Sequence, residues 1–188
     1  MDASLFAAIN GLAGHNPTID HVVAIISENG PYFLIAFLAV LWFWPGVRGV
    51  RDRLQWGVIV AVISAGLALG MNLLISHLWD RPRPFVTHTA LVLVPHKSDA
   101  SFPSDHVVFS FAIAFAIFIA SRRAGILALL VAAAIAFARV YAGDHYVTDV
   151  LAGAAVGILS ATIVNLFRPI LSPLVGPPLR LARRVRLA

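Results

Sequence analysis

Long apolar stretches separated by short polar segments dominate the pattern of this chain. A helix that crosses a membrane needs about 20 mostly apolar residues. Five stretches are candidates: residues 22–44, 54–79, 106–120, 124–138 and 146–167. The segment Glu28-Asn29-Gly30-Pro31 interrupts the first stretch, so its membrane-spanning part is predicted to begin near Pro31. The pattern predicts an all-α, polytopic membrane helical bundle with five to six transmembrane helices.

The two ends of the chain differ from the predicted spans. Residues 3–14 are apolar but too few to cross a membrane, which favours an interfacial helix within residues 1–28 over a sixth crossing. Four prolines follow Arg168, at positions 169, 173, 177 and 178. Because proline disrupts the interior of a helix, residues 169–188 are predicted to form a basic cytoplasmic tail without a regular helix.

The composition is that of one integral membrane domain over residues 1–188. Hydrophobic residues make up 60% of the chain and charged residues 12%, whereas soluble domains have about 45–50% and about 25%. The net charge of +5 comes from basic residues placed between apolar stretches, which indicates membrane topology and no nucleic-acid partner. Because the sequence contains no cysteine, disulfides and thiolate chemistry are excluded.

Basic residues are distributed unevenly among the polar segments. Ten of the 14 lie in residues 45–53, 121–125 and 168–188, accompanied by a single acid, Asp52. With five crossings these segments share one side of the membrane, and the other polar segments share the opposite side. The positive-inside rule places the basic side in the cytoplasm and the remaining polar segments outside.

The first candidate motif lies between the second and third stretches and reads Arg81-Pro82-Arg83-Pro84. Proline keeps the residue before it extended, and arginine makes forked contacts with phosphate oxygens. The alternative is an ordinary pair of interfacial arginines at lipid headgroups. His96 and Lys97, farther along the same loop, are candidates for contact with a headgroup or a second phosphate.

The second candidate motif runs from Ser101 to His106, immediately before the third apolar stretch. Ser104 is a candidate N-cap, which would place the unpaired amides that follow it at an anion-binding helix end. His106 would stand beside that anion, where it could donate a proton. The alternative is a capped helix with an incidental histidine.

The third candidate motif arranges Arg139, His145 and Asp149 in the pattern Arg-x5-His-x3-Asp. If the last helix begins near His145, then His145 and Asp149 share one face and can hydrogen bond. A carboxylate on one ring nitrogen fixes the tautomer and leaves the other nitrogen to attack an electrophile. The alternative is a structural His–Asp pair that locks two helices together.

Together the three motifs resemble the signature of the type 2 phosphatidic acid phosphatase superfamily, in the order Arg-Pro, Pro-Ser-x-His and Arg-x5-His-x3-Asp. The resemblance implies a membrane enzyme that needs no metal or other cofactor and forms a phosphohistidine. It implies that His145 is the nucleophile, that Asp149 orients it and that His106 protonates the leaving group. The residues that would hold the phosphoryl oxygens are Arg83, Ser104 and Arg139.

Three positions depart from the pattern of this superfamily, and one of them, Ala138 where members have serine before the arginine of the third motif, is a small loss. Members of the superfamily have a lysine seven residues before the arginine of the first motif, where this chain has Ser76, so His77 or Arg81 is expected to replace it. Asp105 stands where the second motif has glycine. A carboxylate at that position must turn away from an anionic substrate or pair with an arginine.

The segments 81–85 and 99–106 are most similar to the bacterial undecaprenyl-diphosphatase branch. That branch implies a polyprenyl diphosphate substrate, hydrolysed at the outer face of the bacterial cytoplasmic membrane. The nearest alternative is the same chemistry on phosphatidic acid or phosphatidylglycerol phosphate. A more distant alternative is a transporter or metal-binding membrane protein. The sequence leaves the oligomeric state open.

Overall fold

A computed structural model describes residues 2–95 and 99–184, and this part of the chain forms helices without strands. The helices are α1 (Asp2–Asn10), α2 (Pro17–Trp42), α3 (Arg48–Leu78), α4 (Pro84–Thr87), α5 (Asp105–Ala120), α6 (Arg122–Tyr141), α7 (Val147–Leu166) and α8 (Arg168–Arg184). The predicted all-α fold is confirmed. His96 and Lys97 lie outside the described residues.

Five apolar helices correspond to the five predicted stretches. Within the described residues, α2, α3, α6 and α7 are long and apolar enough to cross a membrane, and α5 is a shorter apolar helix of 16 residues. Helices α3, α6 and α7 pack around α5, whose Val107, Ile113 and Ile117 are fully buried. Large apolar side chains such as Leu74 and Leu151 are exposed on the outside of the bundle. The chain is a multi-pass membrane protein.

Glycines on α7 allow that helix to approach the backbone of α5. A Cβ atom at Gly157 would lie 2.6 Å from the carbonyl oxygen of Val108 and 2.7 Å from the amide nitrogen of Ala112. One turn earlier, a Cβ atom at Gly153 would lie 3.0 Å from the carbonyl oxygen of Ser104. The two helices therefore run in the same direction and bring their N-terminal ends together.

Helix α2 begins earlier than the sequence predicted. Asn16 caps it by accepting hydrogen bonds from two amides of the first turn, and the helix continues through residues 28–31. The prediction that this span begins near Pro31 was wrong. Gly30 lies directly against the side chain of Ile135, so packing against α6 holds this part of α2 in place. Helix α1 has nine residues and is too short to cross a membrane.

Residues 168–184 form α8, so the prediction that prolines exclude a regular helix from this region was wrong. Proline fixes φ at a value that a helix accepts. Pro169 lies in the first turn, where amides have no intrahelical partner in any case. Each later proline removes one backbone hydrogen bond without ending the helix. Residues 185–188 lie outside the described part of the chain.

Replacing Gly157 with alanine tests the contact between α5 and α7. Because the added methyl group would collide with backbone atoms, we expect Gly157→Ala to lower the thermal unfolding temperature in detergent, despite the better helix propensity of alanine. Gly66→Ala is the matched control, since a Cβ atom there meets nothing within 4 Å. Equal unfolding temperatures for the two variants would contradict the close approach.

Candidate active site

Backbone hydrogen bonds bring the three sequence motifs together at one end of the bundle. The amide of Ser101 donates to the carbonyl oxygen of Arg81 at 2.8 Å, which joins the first motif to the second. The amide of Ser104 donates to the carbonyl oxygen of Asp149 at 3.2 Å, which joins the second motif to the third. The site is therefore built from the loop after α3, the start of α5 and the start of α7.

His145 is fully buried at the centre of this site. Its Nδ1 lies 2.8 Å from the carbonyl oxygen of Ser101 and 3.8 Å from Oδ2 of Asp149. A carbonyl can only accept, so in the neutral ring the proton belongs on Nδ1 and the lone pair on Nε2. Nε2 faces Nη2 of Arg139 at 3.3 Å and Oδ2 of Asp144 at 3.4 Å.

Asp149 acts on His145 through Ser101, whereas the sequence predicted a direct hydrogen bond between the two residues. Its Oδ2 accepts from the hydroxyl of Ser101 at 2.6 Å and from the amide of Tyr146 at 2.9 Å. Helix α7 begins after Tyr146, so His145 lies outside the helix on which Asp149 sits. The carboxylate consequently holds Ser101, and the carbonyl group of Ser101 holds the imidazole ring.

Arg81, which the sequence placed among the phosphate-binding residues, is engaged by protein groups instead. Its Nη1 donates to Asp149 at 2.6 Å, its Nη2 donates to Asp2 at 2.6 Å, and its guanidinium lies 4.0 Å from the ring centre of Tyr146. Burial alone would lower the pKa of Arg81, but its two carboxylate partners raise it. The guanidinium is therefore committed to linking α1 with the start of α7.

Two other arginines converge on a single oxygen of Asp144. Oδ2 of Asp144 pairs with Nη1 of Arg83 at 2.6 Å and with Nη2 of Arg139, and all three side chains are buried. Arg83 also pairs with Asp99 at 2.6 Å. Burial alone would raise the pKa of Asp144, but the charges of Arg139, His145 and Arg83 lower it. The carboxylate thus occupies an anion position beside Nε2 of His145.

The start of α5 contributes a buried hydroxyl group and a histidine to the site. Ser104 occupies the N-cap position, but its Oγ is fully buried and has no hydrogen-bond partner among the described residues. Asp105 turns toward His106, whose amide lies 3.0 Å and whose Nδ1 lies 3.2 Å from Oδ1 of Asp105. The Asp105 carboxylate thus accepts a hydrogen bond from one of the backbone amides that the sequence predicted to bind an anionic ligand.

His77 and Ser76 lie at the end of α3 and do not join the arginine pair. Nδ1 of His77 and Oγ of Ser76 each lie 3.0 Å from the carbonyl oxygen of Leu73. Both residues line a cavity of 660 Å³ that Asp99 and Asp105 also line. His77 therefore faces a space next to the site, whereas the position of the superfamily lysine offers only a hydroxyl group.

Sequence reasoning missed three contributions to this site. The carbonyl group of Ser101 carries no signal in the residue type, because any residue supplies one. Asp144 stands next to His145 in the sequence, but nothing in that position indicates that it bridges two arginines. Asp99 was noted only as part of a resemblance. Within the described residues, no group of three or more histidine, aspartate or glutamate side chains could hold a metal ion.

Comparison with known proteins assigns this arrangement to a family. The model of the PAP2 superfamily matches residues 54–171, which contain all three motifs. The chain belongs to the PAP2 superfamily. Among its relatives is the Bacillus subtilis protein named undecaprenyl-diphosphatase BcrC, 33% identical over 184 residues, or 96% of this chain and 91% of the relative.

Other known proteins are also similar to this chain. The Escherichia coli protein named putative undecaprenyl-diphosphatase YbjG is 33% identical over 171 residues, or 87% of this chain and 82% of that protein. The crystal structure of Aquifex aeolicus LpxE superposes with a TM-score of 0.71 at 24% identity, covering 87% of this chain and 93% of LpxE. A PAP2-type phosphatidylglycerolphosphate phosphatase from Bacillus subtilis superposes with a TM-score of 0.63 at 24% identity, covering 89% and 86%. These structures establish the PAP2 fold.

Asp144→Asn tests whether the Asp144 carboxylate competes with an anionic ligand. Without that charge, Arg83 and Arg139 are unbalanced, so we expect orthophosphate and vanadate to bind about tenfold more tightly, or ~1.4 kcal/mol. The measurement is the rise in thermal unfolding temperature with ligand concentration. Asp99→Asn is the control and should change affinity less, because its side chain is 58% exposed. Weaker anion binding by Asp144→Asn would contradict the competition.

Proposed function

We propose that this protein is an integral membrane lipid phosphatase that hydrolyses undecaprenyl diphosphate to undecaprenyl phosphate through a phosphohistidine intermediate. The observation that carries the proposal is the position of Nε2 of His145, which bears the lone pair of the neutral ring and lies 3.3 Å from Arg139, next to an oxygen position that two buried arginines share. The names of relatives that are about one-third identical over most of the chain support the choice of lipid.

In the first step, Nε2 of His145 attacks the terminal phosphorus and the bond from phosphorus to the bridging oxygen breaks. The carbonyl oxygen of Ser101 accepts a hydrogen bond from the Nδ1–H group and stabilises the positive charge that develops on the ring. His106 donates a proton to the departing oxygen of undecaprenyl phosphate. Asp105, 3.2 Å from Nδ1 of His106, holds that ring so that its other nitrogen faces the leaving group.

Arg83, Arg139 and Ser104 bind the oxygens of the transferred phosphoryl group. Both guanidinium groups already converge beside Nε2, and the unpartnered hydroxyl group of Ser104 supplies a further donor. Preorganised positive charge at this place stabilises the transition state. The phosphoryl group takes over the oxygen position of Asp144. In the second step, His106, now deprotonated, takes a proton from the water that attacks the phosphohistidine, the P–N bond breaks and orthophosphate leaves.

The remaining predicted site residues have supporting roles in this proposal. Asp149 and Arg81 position Ser101 and the start of α7 and do not touch the substrate. His77 lines the 660 Å³ cavity beside the site, whose other walls include Leu69 and Leu73 of α3. This cavity has polar and apolar walls, and the apolar ones suit the first prenyl unit of the lipid.

The proposed location is the bacterial cytoplasmic membrane, with the site at its outer face. The catalytic end of the bundle contains the C-terminal ends of α3 and α6 and the N-terminal ends of α5 and α7. The basic segments at residues 48–53 and 122–123 lie at the opposite ends of α3 and α6. By the positive-inside rule, that opposite end faces the cytoplasm.

His145→Ala is expected to abolish phosphate release and to prevent trapping of a ³²P-labelled phosphoenzyme, because no other group replaces Nε2. His21→Ala, on the exposed surface of α2, is the matched control and should retain both. Activity should persist in chelator and be inhibited by vanadate. Turnover by His145→Ala at the wild-type rate would contradict the nucleophile, and loss of activity in chelator would contradict the metal-free reaction.

A substrate panel tests the choice of lipid. We expect kcat/KM for undecaprenyl diphosphate to exceed the values for phosphatidic acid and phosphatidylglycerol phosphate by about tenfold or more, a difference of ~1.4 kcal/mol in transition-state binding. The measurement is phosphate release from each lipid in matched detergent micelles. Equal values for all three lipids would replace the narrow substrate with a broad lipid phosphate phosphatase.

The pH dependence of phosphoenzyme formation tests the state of His145. Burial lowers the pKa of His145 below its ordinary value of 6.5, and the charges of Arg139 and Arg83 lower it further, against Asp149 and Asp144. The neutral nucleophile should therefore persist as the pH falls through 6.5, and the rate should decline only below it. Because the unfolded chain binds the proton more readily, stability should also fall with pH in that window. Rapid quench of ³²P labelling measures the rate, and an acid limb at or above 6.5 would contradict the lowered pKa.

A further inference from the structure

Pro31 lies inside α2 and leaves one backbone carbonyl group without its helical partner. In a regular α-helix, the amide of residue 31 would donate to the carbonyl oxygen of Ser27. Proline has no N–H and its ring pushes against that carbonyl group. Ser27 is fully buried in the bundle, where water cannot replace the missing donor. An unsatisfied acceptor at membrane depth is unfavourable, so the carbonyl group must find another partner.

Arg139 supplies the missing donor from α6. Its Nη1 lies 3.3 Å from the carbonyl oxygen of Ser27 and 3.2 Å from the Ser27 hydroxyl oxygen. Its other terminal nitrogen, Nη2, pairs with Asp144 and lies 3.3 Å from Nε2 of His145. One arm of the guanidinium is thus fixed to α2, and the second arm faces the nucleophile.

The close packing of α2 on α6 brings Ser27 within hydrogen-bond distance of Arg139. A Cβ atom at Gly30 would lie 2.3 Å from Cγ1 of Ile135, so only glycine allows the observed approach. Ile135 lies one turn before Arg139 on α6, and Ser27 lies about one turn before Gly30 on α2. The two helices run in opposite directions, and the contact at Gly30 therefore places Ser27 opposite Arg139.

We propose that Pro31 is a positioning residue for Arg139. By removing the helical donor to Ser27, it frees a backbone acceptor for α6, and this acceptor fixes the guanidinium in its orientation toward His145. The inference rests on the proposed function, because it assigns Arg139 to the phosphoryl group. It adds a residue of α2, outside the three motifs, to the set on which the reaction depends.

Pro31→Ala separates this role from a purely structural one. Alanine restores the N–H and has a far better helix propensity than proline, so the thermal unfolding temperature should stay equal or rise. The restored amide competes for the Ser27 carbonyl group and weakens its bond to Nη1 of Arg139, which then relies more on the Ser27 hydroxyl oxygen. We expect kcat for phosphate release to fall about tenfold, as small misplacements of catalytic groups do, and vanadate to bind more weakly.

Three further variants complete the experiment. Ser27→Ala keeps the carbonyl group and removes the hydroxyl group, so it should lower kcat less than Pro31→Ala. Pro17→Ala, in the first turn of α2, is the matched proline control and should leave kcat unchanged. In an Arg139→Lys background, Pro31→Ala should cause no further loss, because the group that it positions is gone.

The outcomes divide cleanly. A lower kcat and weaker vanadate binding at an equal or higher unfolding temperature, without additivity in the Arg139→Lys background, supports the role of Pro31. Unchanged kcat and vanadate affinity overturns it, and so does a parallel loss of stability and activity. Failure of the proposed function is recognised separately, since His145→Ala would then retain turnover whatever Pro31→Ala does.

Discussion

One oxygen of Asp144, shared by two buried arginines, is the interaction on which the site depends. Charged side chains leave water in a membrane protein only where opposite charge balances them. Arg83 comes from the loop after α3 and Arg139 from the end of α6, so their common partner ties separate parts of the chain to one point. The same oxygen lies 3.4 Å from Nε2 of His145. The site thus carries an internal anion where the proposed reaction brings a phosphoryl group, and substrate binding in that reaction is an exchange of one anion for another.

Helix packing supplies the geometry that this charge balance requires. The glycines at 153 and 157 let α7 run alongside α5 with backbone atoms in contact, which brings the loop before α7 to the first turn of α5. His145 is therefore held by the backbone of Ser101 from the neighbouring segment. Asp149 adds to this by accepting a hydrogen bond from the hydroxyl group of Ser101. Small residues inside the bundle and polar residues at its end thus form one structural unit.

Sequence reasoning reached the residues whose chemistry is visible in their type. His145, Arg139 and Arg83 were predicted to converge because helix count and arginine distribution placed their segments on one side, and the structure brings these segments together. The backbone carbonyl group of Ser101 could not be predicted, because it has no signature in the sequence. The ion pair between Arg81 and Asp2 could not be predicted either. The two residues are 79 positions apart in the sequence, and they meet only because α1 packs against α6 and α7. The His145–Asp149 spacing predicted a direct hydrogen bond, and the later start of α7 replaces it with a contact through Ser101.

Both errors in helix prediction concern a segment that contains proline. The segment 28–31 was taken as an interruption of the first stretch, and the prolines after Arg168 were taken to exclude a helix, yet α2 and α8 continue through them. What proline removes is one donor, and a helix tolerates that loss wherever the freed carbonyl group finds another partner. In α2 that partner is the guanidinium of Arg139, a group that itself needs acceptors because it is buried. The unpaired carbonyl group of α2 and the buried guanidinium of α6 therefore stabilise each other, and neither can be predicted from the sequence of its own helix. A proline within a helix thus frees the carbonyl group four residues before it, and in this chain a buried arginine on the neighbouring helix donates to that group.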